Sequence, residues 1–270
     1  MPKTPLRLIS CWSTLLLSFS LTALFPVTEA ECAAPEGKTT AVEHADKAFL
    51  KMNYIKADSL YSSELRRNPG NAETYWKLSR LQVSLGESAE HSTGDERLRY
   101  YRKAMEYAKT CITLDSTISK GHSWYAASLA IMADKIGTKE KLTRAKEVKR
   151  ELDTALRLNP NDETALSILG SYYREAASIG WFKRMIGNAF IGEVPKGNYD
   201  LAEKAFRKAI SIDPRIIRNY HELALIQIEK GQRDEAVRLM KTALDKPIIM
   251  GSDRKRIEEM RTLLKKLSND

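Results

Sequence analysis

Apolar and small residues recur at helical spacing through most of this chain, and residues 217–248 give the clearest instance. Tyr220, Leu223, Ala224 and Gln227 fall at the spacing of one helix face, Gly231 interrupts them, Ala236, Met240 and Ala243 restart the period, and Pro247 stops it. That pattern predicts a helix, a tight turn, a second antiparallel helix and a stop within roughly 34 residues. The alanines let two helices approach closely, while Leu223 and Met240 fill the space between them. One such pair cannot bury its apolar face alone, so other pairs should precede it.

They do, with the same small, large and stop positions. Ala45, Ala48, Phe49 and Met52 begin a first pair, a turn follows near Asn53, and Ala57, Leu60, Tyr61 and Leu65 lead to Asn68-Pro69. The second pair runs from Ala72 through Tyr75 and Leu78 to Leu85-Gly86. A polar insertion over residues 87–96 then precedes Ala104, Met105, Ala108 and Cys111. Here Leu114-Asp115-Ser116 stands where other pairs end in Pro. A third pair carries Trp124, Tyr125, Leu129 and Met132, an insertion at Gly137-Thr138-Lys139, and Val148, Leu152 and Ala155 before Asn159-Pro160. The fourth holds Leu169-Gly170 with Tyr173, then an insertion of about twenty residues, then Tyr199, Ala202, Phe206 and Ala209 before Asp213-Pro214. Residues 252–270 close the chain with an amphipathic helix, Ile257, Met260, Leu263 and Leu264 on one side and basic residues on the other.

This series resembles tetratricopeptide repeats (TPR). The expected fold is all-α: a TPR-like superhelical solenoid of antiparallel helix pairs over residues 41–251, finished by a C-terminal capping helix over 252–270 with one polar face. Thirteen glycines and nine prolines are few for a chain of this length, which suits helices and disfavours an all-β fold.

Three further words narrow the resemblance. Gly121-His122-Ser123-Trp124-Tyr125-Ala126 is followed by Gly137-Thr138-Lys139-Glu140-Lys141, then by Leu158-Asn159-Pro160-x-Asp162, with Trp181 in the long insertion. In that order they resemble the regulator of microtubule dynamics protein family, from about Ser119 to the C-terminus. The resemblance implies a TPR-like architecture and brings no catalytic residues. Eukaryotic members are associated with microtubules and organelle membranes. An exported chain would have no access to microtubules, so architecture transfers more readily than function.

Export is the reading of residues 1–30. Lys3 and Arg7 precede an apolar run over residues 8–25, and Thr28-Glu29-Ala30 places small residues where a signal peptidase cuts. Residues 31–40 then form a polar linker, and the expected compartment is a bacterial periplasm. The alternative is an uncleaved helix that anchors the protein to the inner membrane, although the run is shorter than the ~20 residues a span needs. Cleavage would remove two positive charges and one negative, taking the formal +9 to about +8. It would also remove Cys11, leaving Cys32 in the linker and Cys111 at a helix-packing position, where a buried thiol acts as a small apolar group.

No enzyme motif is present: no His-Glu-x-x-His, Cys-x-x-Cys, phosphate-binding loop or Gly-x-Ser-x-Gly. The four histidines are scattered over different repeats, so neither a metal site nor a cofactor is expected. His122 reads as a helix-start residue bonded to backbone. An enzyme would need a pocket bringing His122, Glu140 or another acid–base pair within hydrogen-bond reach. Nucleic acid is not an expected partner, because basic residues alternate with acidic ones along most helices.

Two surfaces remain. The first helices of successive repeats should line a concave groove, presenting Trp76, Arg80, Lys120, Ser167, Arg174, Arg218 and His221. Cations on rigid helices suit a carboxylate, so the expected partner is a protein or peptide, acidic or held by its C-terminus. The second is the insertion at 178–195. As a helix it gathers Trp181, Phe182, Met185, Ile186 and Phe190 on one face, with Lys183 and Arg184 at the rim. It can pack back on the solenoid as a structural lid, serve as a partner-binding helix, or lie on an anionic membrane surface.

Overall fold

The chain divides into two compact units, Met1–Lys38 and Thr39–Asp270. The computed structural model describes residues 40–89, 93–178 and 197–269, so the helices below all belong to the second unit. Residues 1–39, where an export signal and a linker are expected, and residues 179–196 of the long insertion, with Trp181, Phe182, Lys183 and Arg184, lie outside the described residues.

Among the described residues the regular elements are all helices: α1 Ala41–Leu50, α2 Tyr54–Arg67, α3 Ala72–Ser88, α4 Gly94–Leu114, α5 Ser119–Ile136, α6 Thr138–Leu158, α7 Glu163–Ser178, α8 Tyr199–Ile212, α9 Ile217–Glu229, α10 Arg233–Leu244 and α11 Asp253–Asn269. They pack as the repeats predict. α1 lies on α2, α3 on α4, α5 on α6, α7 on α8 and α9 on α10, and α11 covers α9 and α10. The pairing of α7 with α8 shows that the long insertion leaves the fourth repeat intact.

The core runs through the stack in three linked clusters: Phe49, Tyr61, Leu78 and Leu81 at the start, Tyr101, Trp124, Leu129 and Leu152 in the middle, and Phe206, Leu223, Met240 and Met260 at the end. Small residues set the spacing. Ala57, Ala104, Ala155, Ala202, Ala224 and Ala243 are fully buried between partner helices. At Gly170 the approach is closer still: a Cβ there would lie 2.7 Å from the Phe206 ring, so even alanine would force the helices apart. Cys111 is buried, and burial pushes its thiol pKa up to about 12, the state of a small apolar side chain.

Three of the four stops between repeats share one device. Asp115, Asn159 and Asp213 each accept a hydrogen bond from the backbone N–H two residues on, at 2.8, 3.0 and 3.0 Å. This is an Asx turn, and it explains why Asp115-Ser116 ends its repeat without a proline. Where the pattern ended a helix at Leu85-Gly86 and placed insertions over 87–96 and at Gly137-Thr138-Lys139, the helices run further. α3 runs to Ser88, α4 begins at Gly94 behind a Thr93–Glu96 capping box, and Gly137 alone joins α5 to α6 with φ of 135°. Among the described residues of those stretches, polar side chains such as Asp95, Thr138 and Lys139 face water from helices, so a polar composition did not mark a helix end.

The last segment does more than cap. Between α10 and α11, residues 245–252 cross back to the first repeats. The Gly251 N–H donates to the Tyr54 hydroxyl at 3.2 Å, and Arg256 reaches Glu87 at 3.7 Å. A Cβ on Gly251 would lie 2.2 Å from Ser88 Oγ, so any larger residue would have to turn the Ser88 hydroxyl aside for the strap to sit this close to α3. Asp253, buried at the start of α11, accepts from the Met250 N–H at 3.1 Å and fixes the strap's end.

Candidate functional site

The repeats and the strap together line an open cavity of about 730 Å3. Its apolar wall includes Trp124, Ile131, Val148, Ile168 and Tyr172, joined by Ile249 and Met250 from the strap. Long α5 and α6 make this wall possible: Ile131, Thr138, Lys141 and Leu142 stand on the helical turns that extend the third repeat.

Charges of both signs line the same space, and most are paired. Lys141 bonds Asp134 at 2.6 Å and Glu175 at 3.0 Å. Arg144 meets Glu140 at 2.7 Å, and Arg215 meets Asp213 at 2.8 Å. Arg256 lies between Glu87 and Asp253 at 3.7 and 3.6 Å. The cavity is therefore close to neutral in formal charge, not the cationic groove that helix spacing implied.

The groove residues read from the sequence scatter on this map. Arg80 lines the cavity, but it is committed: Nη2 bonds Asp46 at 3.0 Å and the Tyr61 hydroxyl at 3.1 Å, and the guanidinium stacks 3.9 Å from the Phe49 ring centroid. Asp46 also takes Lys77 at 2.7 Å. Burial alone would raise the Asp46 carboxyl, but the bonds from Lys77 and Tyr61 and the two cations outweigh it and hold it below its usual range. Trp76 is not on the cavity wall. It is buried in the core, its indole N–H donating to Glu73 at 2.5 Å. Lys120 is tied to Asp162 at 3.0 Å and Glu163 at 2.6 Å. Arg174 pairs with Glu222 at 2.9 Å. His221 is buried, with Nε2 3.6 Å from Glu259 of α11, and burial lowers its pKa.

Arg218 differs from all of these. It lines the cavity, and its Nη1 and Nη2 donate to the hydroxyls of Ser167 at 2.9 Å and Ser171 at 2.8 Å. Among the described residues no carboxylate lies within ion-pair distance of it. Burial pushes its pKa below the ordinary guanidinium value, against the opposing charge of Glu222. Next to it Asn219 lines the cavity, fully buried, and neither amide atom has a hydrogen-bond partner among the described residues. Spacing had placed Ser167 and Arg218 on the groove. It had passed over Asn219 because an asparagine at the start of a helix usually reads as a local cap.

The family words prove to be joints. His122 sits between the Ser116 carbonyl oxygen, 3.0 Å from Nε2, and Glu151, 2.7 Å from Nδ1. It is thus within reach of a carboxylate, yet both side chains stand away from the cavity lining. Asp162 caps α7 through the Ala165 N–H at 3.0 Å and also takes Ser119 and Lys120. Among the described residues no group of three or more His, Cys, Asp or Glu side chains is arranged to hold a metal, and no helix is long and apolar enough to cross a membrane.

Helix pairs of this length, stacked into one array with a terminal helix and a cavity on the inner face, define a TPR-like solenoid. The same fold appears in a thermophilic TPR protein of Thermus thermophilus, with a TM-score of 0.59 and 16% identity over 85% of this chain and 98% of that one. The family described as regulator of microtubule dynamics protein 1-3 matches residues 41–268, and the chain belongs to it. Regulator of microtubule dynamics protein 1 of Mus musculus is 27% identical over 199 residues, 70% of this chain and 64% of that protein. The Caenorhabditis elegans protein of the same name is 25% identical, over 82% of this chain and 97% of its own length. The chain thus spans less than two thirds of the mouse relative and nearly all of the nematode one.

Proposed function

We propose that this protein is a non-enzymatic interaction scaffold whose inner cavity holds a segment of a partner protein. The observation that carries the reading is the cavity itself, walled by several successive repeats and bordered on one side by the strap, with apolar residues among its lining. A TPR array serves a partner by such rigid helix faces, and the relatives are named as regulators, not as enzymes of a stated reaction. Microtubules stay a property of the relatives' name. The export reading is a proposal of the same standing, carried by Lys3, Arg7 and the apolar run after them. Intact-mass measurement of the protein from an expressing bacterium should find a mature form beginning at Glu31.

The test fills the cavity. Ala130 lines it from α5, and Ala130→Trp should occupy it while leaving the helices intact. Partners crosslinked to the wild type in cells should be lost from this variant, with unchanged helical circular dichroism. Capture that persists with the cavity filled would move the binding surface elsewhere. The membrane-surface alternative rests on residues 178–195, almost all outside the described residues. Flotation of the protein with anionic liposomes, lost on Trp181→Ala with Phe182→Ala, is the result that would favour it.

A further inference from the structure

In a solenoid each repeat touches its neighbours, and the two ends of the array have no contact with each other. Here the strap over residues 245–252 ties the last repeat back to the first two. Its Gly251 N–H donates to the Tyr54 hydroxyl of α2 at 3.2 Å, Arg256 at its end stands 3.7 Å from Glu87 of α3, and Gly251 lies against Ser88. These ties are slight. The hydrogen bond is to a neutral hydroxyl, the ion pair is close to the ~4 Å limit of direct pairing, and the strap carries no helix of its own. The helix that follows is held separately. Met260 of α11 is fully buried, and Ile257, Leu263 and Leu264 pack into the cluster formed with α9 and α10. The strap can therefore part from α3 while α11 stays on the last repeat.

We propose that residues 245–252 are a releasable clasp that sets the width of the inner cavity. Ile249, Met250 and Gly251 line the cavity from the strap, and Val83, Ser84 and Glu87 line it from α3. Closed, the clasp holds these two walls together and restricts the size of what enters. Open, the wall parts between the strap and α3, and a bulky occupant gains access. Irregular segments tied by few bonds are the parts of a protein that open well below its global unfolding, and lids of this kind move in microseconds to milliseconds. The close approach at Gly251 fits such a part: without a side chain there, the strap seats on α3 and leaves it with no interlocking groups to disengage.

The experiment uses the full chain carrying Ala130→Cys, which puts a thiol on the cavity wall. Its reactions with small N-ethylmaleimide and with bulky fluorescein-5-maleimide are followed by mass spectrometry of the tryptic peptide over residues 121–135, which is free of Cys11, Cys32 and Cys111. Two further changes set the clasp. Gly251→Val releases it, because a Cβ there already lies 3.0 Å from the Ser88 Cβ and a branched side chain adds more. Gly251→Cys with Ser88→Cys locks it, since those two β-carbons need only draw apart to about 3.8 Å for a disulfide. The bulky reagent should react about tenfold more slowly in the locked protein than with the native clasp, and several-fold faster in Gly251→Val, while the small reagent changes less than about twofold. Should Gly251→Val fail to fold, Tyr54→Phe with Glu87→Gln removes the side-chain anchors, leaves an oxygen for the Tyr101 hydroxyl, and should give the same rise. Hydrogen exchange reads the clasp without a thiol. In the wild type the Gly251 amide should exchange about a hundredfold faster than that of Met260 in α11. A ratio of bulky to small reactivity that is the same with native, released and locked clasp, or a Gly251 amide as slow as that of Met260, overturns the proposal. The scaffold reading survives that result, since the cavity would then admit its occupant without a gate.

Discussion

Two arginines face the same cavity from the first helices of two repeats, Arg80 on α3 and Arg218 on α9, and their surroundings are opposite. Arg80 is bonded to Asp46 and Tyr61 and stacked on Phe49, all contributed by the neighbouring repeat. Among the described residues Arg218 bonds two serine hydroxyls and has no carboxylate within ion-pair distance, although the charge of Glu222 acts on it. The first arginine joins repeats together; the second holds a charge toward the cavity. Their positions along the helices do not distinguish them. What does is whether the adjacent repeat supplies a carboxylate, and repeat four supplies serines at that place.

The largest effect should come from breaking the Arg80 side. Asp46→Ala would leave Arg80, Lys77 and Tyr61 without their shared acceptor. Losing one partner of a half-buried charged network should cost about 2 kcal/mol, less than the fully buried case because Asp46 keeps contact with water. For a domain of this size that is roughly 4–8 °C in melting temperature, read by circular dichroism. A fall below about 1 °C would mean that the network is not a joint.

A smaller change makes the two arginines alike. Ser167→Asp would place a carboxylate against Arg218 as Asp46 stands against Arg80. The new pair should hold or raise stability by up to about 1 kcal/mol, since the guanidinium is already desolvated. Smaller again is the stability change in Arg218→Gln, within about 0.5 kcal/mol of the wild type, because no ion pair is lost. A loss as large as that of Asp46→Ala would make Arg218 a structural residue and dissolve the contrast.

The sequence carried the fold well because the repeat writes one rule five times. The buried alanines and the Asx stops are local patterns, Leu169-Gly170 meets Phe206 within one repeat, and each instance supports the others. The site was legible only in part. Helix spacing put Arg80 and Arg218 on the inner face, but it could not tell that Lys120 would meet Asp162 over a separation of 42 residues, or that Arg174 would meet Glu222. The strap is the extreme case, since Gly251 and Tyr54 lie 197 residues apart and nothing periodic joins them. Contacts of that kind are set by the superhelix as a whole, not by any one repeat.

His221 offers the finest test of how a groove residue becomes a core residue. It was expected beside Arg218, but α11 covers it and leaves Nδ1 without a partner among the described residues. Burial lowers its pKa, and the charges around it divide: Glu222 on α9 and Glu259 on α11 favour the protonated ring, while Arg256 on α11 and Arg174 on α7 oppose it. Its folded pKa thus lies below the unfolded value of 6.5, so at acid pH the unfolded chain binds the proton more readily. At pH 8 the ring is neutral in both states and contributes no difference. Stability should then fall as pH drops through 6.5 toward 5, as α11 loosens over a charged ring. The fall should be small, roughly 1–2 °C more in the wild type than in His221→Gln. Equal pH dependence in the two proteins would show that α11 does not hold His221 away from water, and that the terminal helix caps the array without closing over this part of the inner face.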